Sequence, residues 1–307
     1  MKDGMRSFTP WMRLVRLPNL LTVPGDPVAG FLLVAAAGGG APGMLALAAA
    51  MGASLCLYVF GLILNDIVDI EVDRVERPDR PLPSGEITVP QARMAAIAMA
   101  LSGLNLALVA GRPALYVAAV LAGLIVIYNG VLKGRPVVGV AAMGLCRGAS
   151  LLLGAVAAMP GTVAGAAPAL VAAAGLAAYV MAFSAVAKRE MEAEKPQGAV
   201  RWMPFVTLLL TLPVVLIVAA AIREPLPFQS MFAVFLMVMT LMRAWFLGGM
   251  MYQVQPVPET VGGHIRNLLM AQACLCAAAG QAGALPALTF VLLSFVFQRL
   301  SRRFYSS

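Results

Sequence analysis

Long apolar runs separated by short polar breaks dominate the chain. They occur at 18–38, 43–64, 90–110, 113–132, 137–158, 166–187, 203–221, 227–249, 265–282 and 284–300. An α-helix needs about 20 residues to cross a bilayer, so the pattern predicts an all-α, polytopic transmembrane helical bundle. It reads as a single integral-membrane domain over residues 1–307. The last two runs form either two spans or one long helix broken around Pro286, giving nine or ten in all. Pro18, Asn19, Pro24 and Asp26 interrupt the first run, which then continues into a full span. It therefore reads as a retained helix, not a cleaved signal peptide.

Composition narrows the class. Of 307 residues, 61% are hydrophobic and 12% charged, with a mean hydropathy of +0.88. Soluble domains carry about 25% charged residues, so a soluble enzyme and a disordered chain are both excluded. The net charge is +8. With the N-terminus in the cytoplasm, nineteen basic residues fall on the cytoplasmic side, Arg112 and Arg223 fall outside, and Arg147 lies within a span. That bias sets the orientation and accounts for the basic balance without nucleic acid. The expected location is a bacterial inner membrane, with the N-terminus and the charged loops cytoplasmic. Cys56, Cys146, Cys274 and Cys276 all sit in apolar runs, which suits buried thiols better than a zinc site or disulfides.

Seven of the fourteen acidic residues lie between 64 and 89, where the chain reads N-D-I-V-D-I-E-V-D-R-V-E-R-P-D-R-P-L-P-S-G from Asn65. If the second span continues as a helix, Asp66, Asp69 and Asp73 fall within about 60° of one another, with Glu71 roughly opposite. Pro78 ends that helix. Three carboxylates on one face repel unless a cation lies between them. Oxygen-only ligands suit Mg²⁺, which completes its shell with water and substrate phosphates. Arg77 and Arg80 supply charge suited to those phosphates. Arg147 lies on the order of 15 Å into the fifth span, where an arginine faces a cavity or a partner. Asp26 in the first span is a candidate partner or pocket group. Gln272 and the single histidine, His264, carry no assignment.

The acidic run, with R-P-L-P-S-G, resembles the first aspartate-rich motif of the UbiA superfamily of intramembrane prenyltransferases. R-L-P-N at 16–19 and G-L-C-R-G at 144–148 are similar to its UbiA-like EboC branch. The resemblance implies an Mg²⁺-dependent enzyme acting on a prenyl diphosphate and an aromatic or other small lipophilic acceptor. It implies metal and diphosphate binding by Asn65, Asp66, Asp69 and Asp73. It also implies that Lys133 and Arg135 hold the diphosphate and that Tyr128 faces the allylic cation, a contact a ring face favours.

The second aspartate-rich motif of the family is degenerate here. Val180, Ser184 and Ala187 stand where aspartates are expected. The nearby acids are Glu190, Glu192 and Glu194, of which Glu190 is the candidate metal ligand. Lys188 and Arg189, with Lys133 and Arg135, are candidates to replace a second ion. The alternative is a catalytically degenerate relative that binds or transports a small secondary-metabolite precursor, the role linked to the EboC branch. An ion-coupled transporter using Asp26 and Arg147 ranks last, because no inverted repeat with broken helices is visible.

Overall fold

The computed structural model describes residues 9–38, 43–158, 166–188, 198–222, 227–253 and 257–304, and among these it contains helices and no strands. A single turn, Leu17–Leu20, precedes α1 (Gly25–Ala36). There follow α2 (Met44–Val68), α3 (Ile70–Glu76), α4 (Val89–Ala110) and α5 (Arg112–Ile127). A π-helical turn, Tyr128–Leu132, leads into α6 (Pro136–Ala157) and α7 (Ala167–Lys188). The remainder is α8 (Met203–Ile222), α9 (Pro227–Gln253), α10 (Val257–Ala278) and α11 (Gln281–Phe304). Among the described residues, nine segments are long and apolar enough to cross a membrane.

Successive helices α4 to α11 pack on their chain neighbours, and α2 packs on α4. α1 lies inside this arrangement, against α2, α6, α7, α10 and α11. Its closest approach is to α6. A Cβ added at Gly154 would overlap the carbonyl of Pro27, and one at Gly30 would overlap the carbonyl of Leu151. Small residues of this kind let two membrane helices touch backbone to backbone.

α10 is a separate helix of 22 residues. Glu259, His264, Arg266, Asn267 and Gln272 interrupt its apolar run, yet it packs against α1, α7, α8, α9 and α11, and residues 267–280 are all buried. A polar helix is stable in the interior when its neighbours satisfy its groups. The break before α11 falls at Gly280, which has a φ of 76°, and Pro286 lies inside α11. The two-helix reading of this region is therefore the observed one. Arg243 and Arg266, two of the nineteen basic residues expected on the cytoplasmic side, lie half-buried within α9 and α10.

The start of α4 is sealed by a capping box. Gln91 donates its backbone N–H to the Thr88 hydroxyl at 3.5 Å, and Thr88 returns its own N–H to the Gln91 side chain at 2.9 Å. Thr88→Ala is expected to cost about 1 kcal/mol. Its melting temperature should fall by a few degrees, with diphosphate binding unchanged.

Candidate active site

Built from α2 outwards, the site begins where that helix breaks at Asp69 (φ −84°, ψ 0°) without losing its hydrogen-bond register. Asp69 N–H still donates to Asn65 O at 3.0 Å, and Asp73 N–H to Asp69 O at 2.8 Å. Asp66, Asp69 and Asp73 therefore remain on one side. Glu71 points away and pairs with exposed Arg74 at 2.7 Å. Beyond α3 the chain folds back, anchored by buried Leu82 and Ile87 and by Ile87 N–H donating to Pro81 O at 3.0 Å. This return carries the Arg80 guanidinium to 2.6 Å from Asp73 Oδ2 and 3.9 Å from Asp66 Oδ1. Arg13 ties the N-terminal segment to the same loop through Glu86 at 3.2 Å and the Asp79 carbonyl.

Two further cations close on the carboxylates. Arg16 Nη2 lies 3.3 Å from Asp66 Oδ1. Its backbone is left-handed at φ 49°, a conformation that costs a non-glycine residue roughly 1–2 kcal/mol. Lys133 pairs with Asp69 and donates to Asn65 Oδ1 at 2.7 Å. The π turn delivers it, with Lys133 N–H reaching back to Tyr128 O at 2.9 Å; such wide turns recur at functional sites.

Lys188 does not face the acids. Its ammonium donates to the carbonyls of Lys133 and Arg135, at 3.2 and 3.1 Å, and so fastens α7 to the loop after the π turn. Arg77 and Arg135 are exposed, and their side chains have no ion-pair partner among the described residues. Arg189 and Glu190 lie outside the described residues.

Among the described residues, no three His, Cys, Asp or Glu side chains converge closely enough to hold a metal ion together. The expected three-carboxylate cluster is thus opened by its own cations: Arg80 bridges Asp66 and Asp73, and Lys133 covers Asp69. A hard cation with phosphate and water in its shell needs only one or two carboxylates. Asp66 and Asp69 meet that requirement, since the Asn65 amide reaches both, at 3.3 and 3.2 Å. The oxygen donors present fit Mg²⁺.

A cavity of about 270 Å³ opens beneath this cluster, near the lower end of ligand pockets at roughly 300 Å³. Leu57, Leu121, Ile125, Tyr128, Val180 and Phe183 supply apolar lining. Polar lining comes from Asn19, Thr22, Ser54, Tyr58, Arg147 and Ser150 among others. Val180 and Ser184 of α7 thus line the cavity, with the Ser184 hydroxyl oxygen itself buried. Behind the polar lining, Arg147 Nε lies 3.0 Å from Asp26 Oδ2, and Nη2 donates to Asp26 Oδ1 at 3.2 Å and to Thr22 O at 2.9 Å. Gln272 of α10 donates to the same two acceptors at 2.6 Å each.

Sequence reasoning named Arg147 and Asp26 but left Gln272 unassigned, and it noted Arg16 in the R-L-P-N stretch without giving it a role in the site. A glutamine inside an apolar run was the available signal for the first. The R-L-P-N stretch marked the second, but nothing local showed which carboxylate it would reach. His264 belongs to a separate buried network, 3.0 Å from the Tyr179 hydroxyl, to which Asn267 donates at 3.3 Å.

Nine membrane-length apolar helices among the described residues, around an interior helix and a cavity, define an integral-membrane protein. The model of the UbiA prenyltransferase family matches residues 27–259, and the chain belongs to that family. It is 31% identical to digeranylgeranylglyceryl phosphate synthase of Methanoculleus marisnigri over 148 residues, 48% of this chain and 51% of that protein. The aligned part thus spans about half the length of this relative. The fold is similar to that of a UbiA homologue from Aeropyrum pernix, with a TM-score of 0.64 and 15% identity over 83% of this chain and 96% of that one. It is also similar to a homologue from Archaeoglobus fulgidus bound to GPP and Mg²⁺, with a TM-score of 0.56 and 14% identity over 94% of this chain and 99% of that one.

Proposed function

We propose that the protein is an Mg²⁺-dependent intramembrane prenyltransferase. It moves the prenyl group of an allylic diphosphate to an aromatic or other small lipophilic acceptor. The observation that carries this reading is the juxtaposition of the Asn65–Asp66–Asp69 oxygens with Arg16, Arg80 and Lys133 at the mouth of a cavity with apolar lining. The name of the M. marisnigri relative, digeranylgeranylglyceryl phosphate synthase, and the GPP and Mg²⁺ bound by the A. fulgidus homologue point the same way.

Asp66 and Asp69 would hold the metal, and Asp73 keeps Arg80 in place. Mg²⁺ bound there supplies neutralising charge to the leaving diphosphate. Lys133 and Arg80 take up phosphate oxygens, Arg16 approaches from the N-terminal segment, and the exposed Arg77 and Arg135 lie at the rim. The C–O bond of the allylic diphosphate breaks with its electron pair leaving on diphosphate. The Tyr128 ring borders the space where the allylic cation forms. The acceptor's nucleophilic atom then bonds to the allylic carbon and loses its proton. Lys188, by holding the Lys133–Arg135 backbone, positions the cation that serves the leaving group. Arg189 and Glu190 are proposed to join this end of the site. The mouth faces the cytoplasm, in keeping with the excess of basic residues on that side, and the membrane is a bacterial inner membrane.

The test is diphosphate release by the full chain in nanodiscs, with Mg²⁺, a panel of allylic diphosphates and candidate acceptors. Release that requires Mg²⁺ and an acceptor supports transfer. Mg²⁺-dependent diphosphate binding without release would replace this reading with that of a non-catalytic binder or transporter, which the valine and serine at 180 and 184 favour.

A further inference from the structure

Two contacts fix which faces of α9 and α10 meet. Asn267 Nδ2 donates to Thr240 O at 3.2 Å, and a Cβ added at Gly263 would strike the Leu247 side chain. The pairing order makes the helices antiparallel. Arg243 lies between Thr240 and Leu247 on α9, and Arg266 lies between Gly263 and Asn267 on α10. At about 100° per residue, each arginine turns roughly 50–80° off the contact line. In an antiparallel pair these turns bring both to one side, opposite the side where Tyr179 meets His264.

Both arginines are half-buried, and each lies within electrostatic reach of the other. The Arg243 guanidinium has no hydrogen bond or ion pair with a described residue, and its nitrogens are not sealed from the surface. Glu259 stands two turns before Arg266 on the same face of α10, and among the described residues it pairs with neither arginine. Neither arginine lines the central cavity. An arginine keeps its charge, so two held together at partial burial repel unless an anion joins them.

Depth identifies that anion. Trp245, two residues past Arg243, is 55% exposed and stacks on Trp202 with ring centres 4.2 Å apart. Tryptophans collect at the height of lipid headgroups, and Arg243 is within about 3 Å of that height along its helix. This is the side of the mouth, where Lys188 ends α7 and Trp202 precedes α8. Met239 and Phe232, four and eleven residues before Arg243, continue its face of α9 as a half-buried apolar strip.

We propose that Arg243 and Arg266 form a site for an anionic phospholipid of the leaflet on the mouth side, holding its phosphodiester while an acyl chain lies along Met239 and Phe232. Basic pockets between membrane helices bind lipid headgroups in this way. Arg243 supplies the donors, and Arg266 adds charge from the facing helix. The site is separate from the diphosphate mouth and does not depend on prenyl transfer.

The test is native mass spectrometry of the full chain in detergent, titrated with dioleoylphosphatidylglycerol or dioleoylphosphatidylcholine. The two lipids share their chains and differ in net charge. Wild type is expected to bind the first about ten-fold more tightly. Arg243→Gln and Arg266→Gln should each remove most of that preference, and either one suffices if the other does not fold. Arg243→Lys keeps the charge but not the planar fork, and should retain about half of the preference or more. Arg74→Gln, which neutralises an exposed cation paired with Glu71, should leave it unchanged. Excess inorganic phosphate should not displace the glycerol lipid; displacement would assign the pair to a soluble oxyanion and overturn the lipid site. Equal binding of both lipids by wild type, an unchanged preference in a folded glutamine variant, or an equal loss in Arg74→Gln would each overturn it too.

Discussion

Asp69→Ala is expected to lower kcat/KM for Mg²⁺-dependent diphosphate release by at least about 100-fold, or about 2.7 kcal/mol of transition-state stabilisation. Asp69 sits where the α2 ladder turns into α3, and its carboxylate receives both the Asn65 amide and the Lys133 ammonium. The substitution removes one of two carboxylates that a metal could use and releases the cation aimed at the leaving group. A steady-state assay beside Mg²⁺-dependent pyrophosphate binding checks it, and both readouts should fall together. Glu71→Ala is the internal control. That carboxylate belongs to the same acidic run but is exposed and bonded to Arg74, so its loss should leave both readouts within about two-fold, as expected for a surface pair. Equal damage from the two substitutions would show that the run acts through bulk charge, not through geometry.

Gly154→Val is expected to destabilise the protein by about 3 kcal/mol or more, at or above the usual upper end for overpacking. Overpacked side chains in a core are relieved by rotamer shifts. Here the atom in the way is the Pro27 carbonyl, and Gly30 meets the Leu151 carbonyl in the mirrored position. Backbone in two interior helices has no such freedom. Separating α1 from α6 would also pull Asp26 from Arg147, leaving two buried charges poorly paired. Thermal melting in nanodiscs followed by circular dichroism reads the effect. Gly123→Val serves as the comparison, because a Cβ there meets no atom within 4 Å; its melting temperature should be unchanged.

Both predictions concern residues that differ in how visible they were beforehand. The acidic residues on one side of α2 and α3 follow from i, i+3 and i+7 spacing, and the end of α3 follows from Pro78. The role of Gly154 is invisible without its neighbour, since a glycine in an apolar run packs anywhere until the opposing helix is known. The opened carboxylate cluster is a similar case. Spacing puts the three acids on one side, but Arg80 returns to them only because Leu82 and Ile87 bury the loop between.

The sequence by itself determined the helical membrane class, nearly all of the spans, the acidic run and the family to which the run belongs. These are signals of contiguous residues: hydropathy over about 20 positions, helical spacing, and proline as a terminator. Only the tertiary structure decided that α10, whose apolar run is broken by polar residues, lies inside, and that Arg16 reaches Asp66. It alone joined Asp26 to Arg147 and Gln272, partners 121 and 246 positions away. Such pairings depend on which helix faces meet and how closely backbones approach, and no periodicity within one segment encodes that.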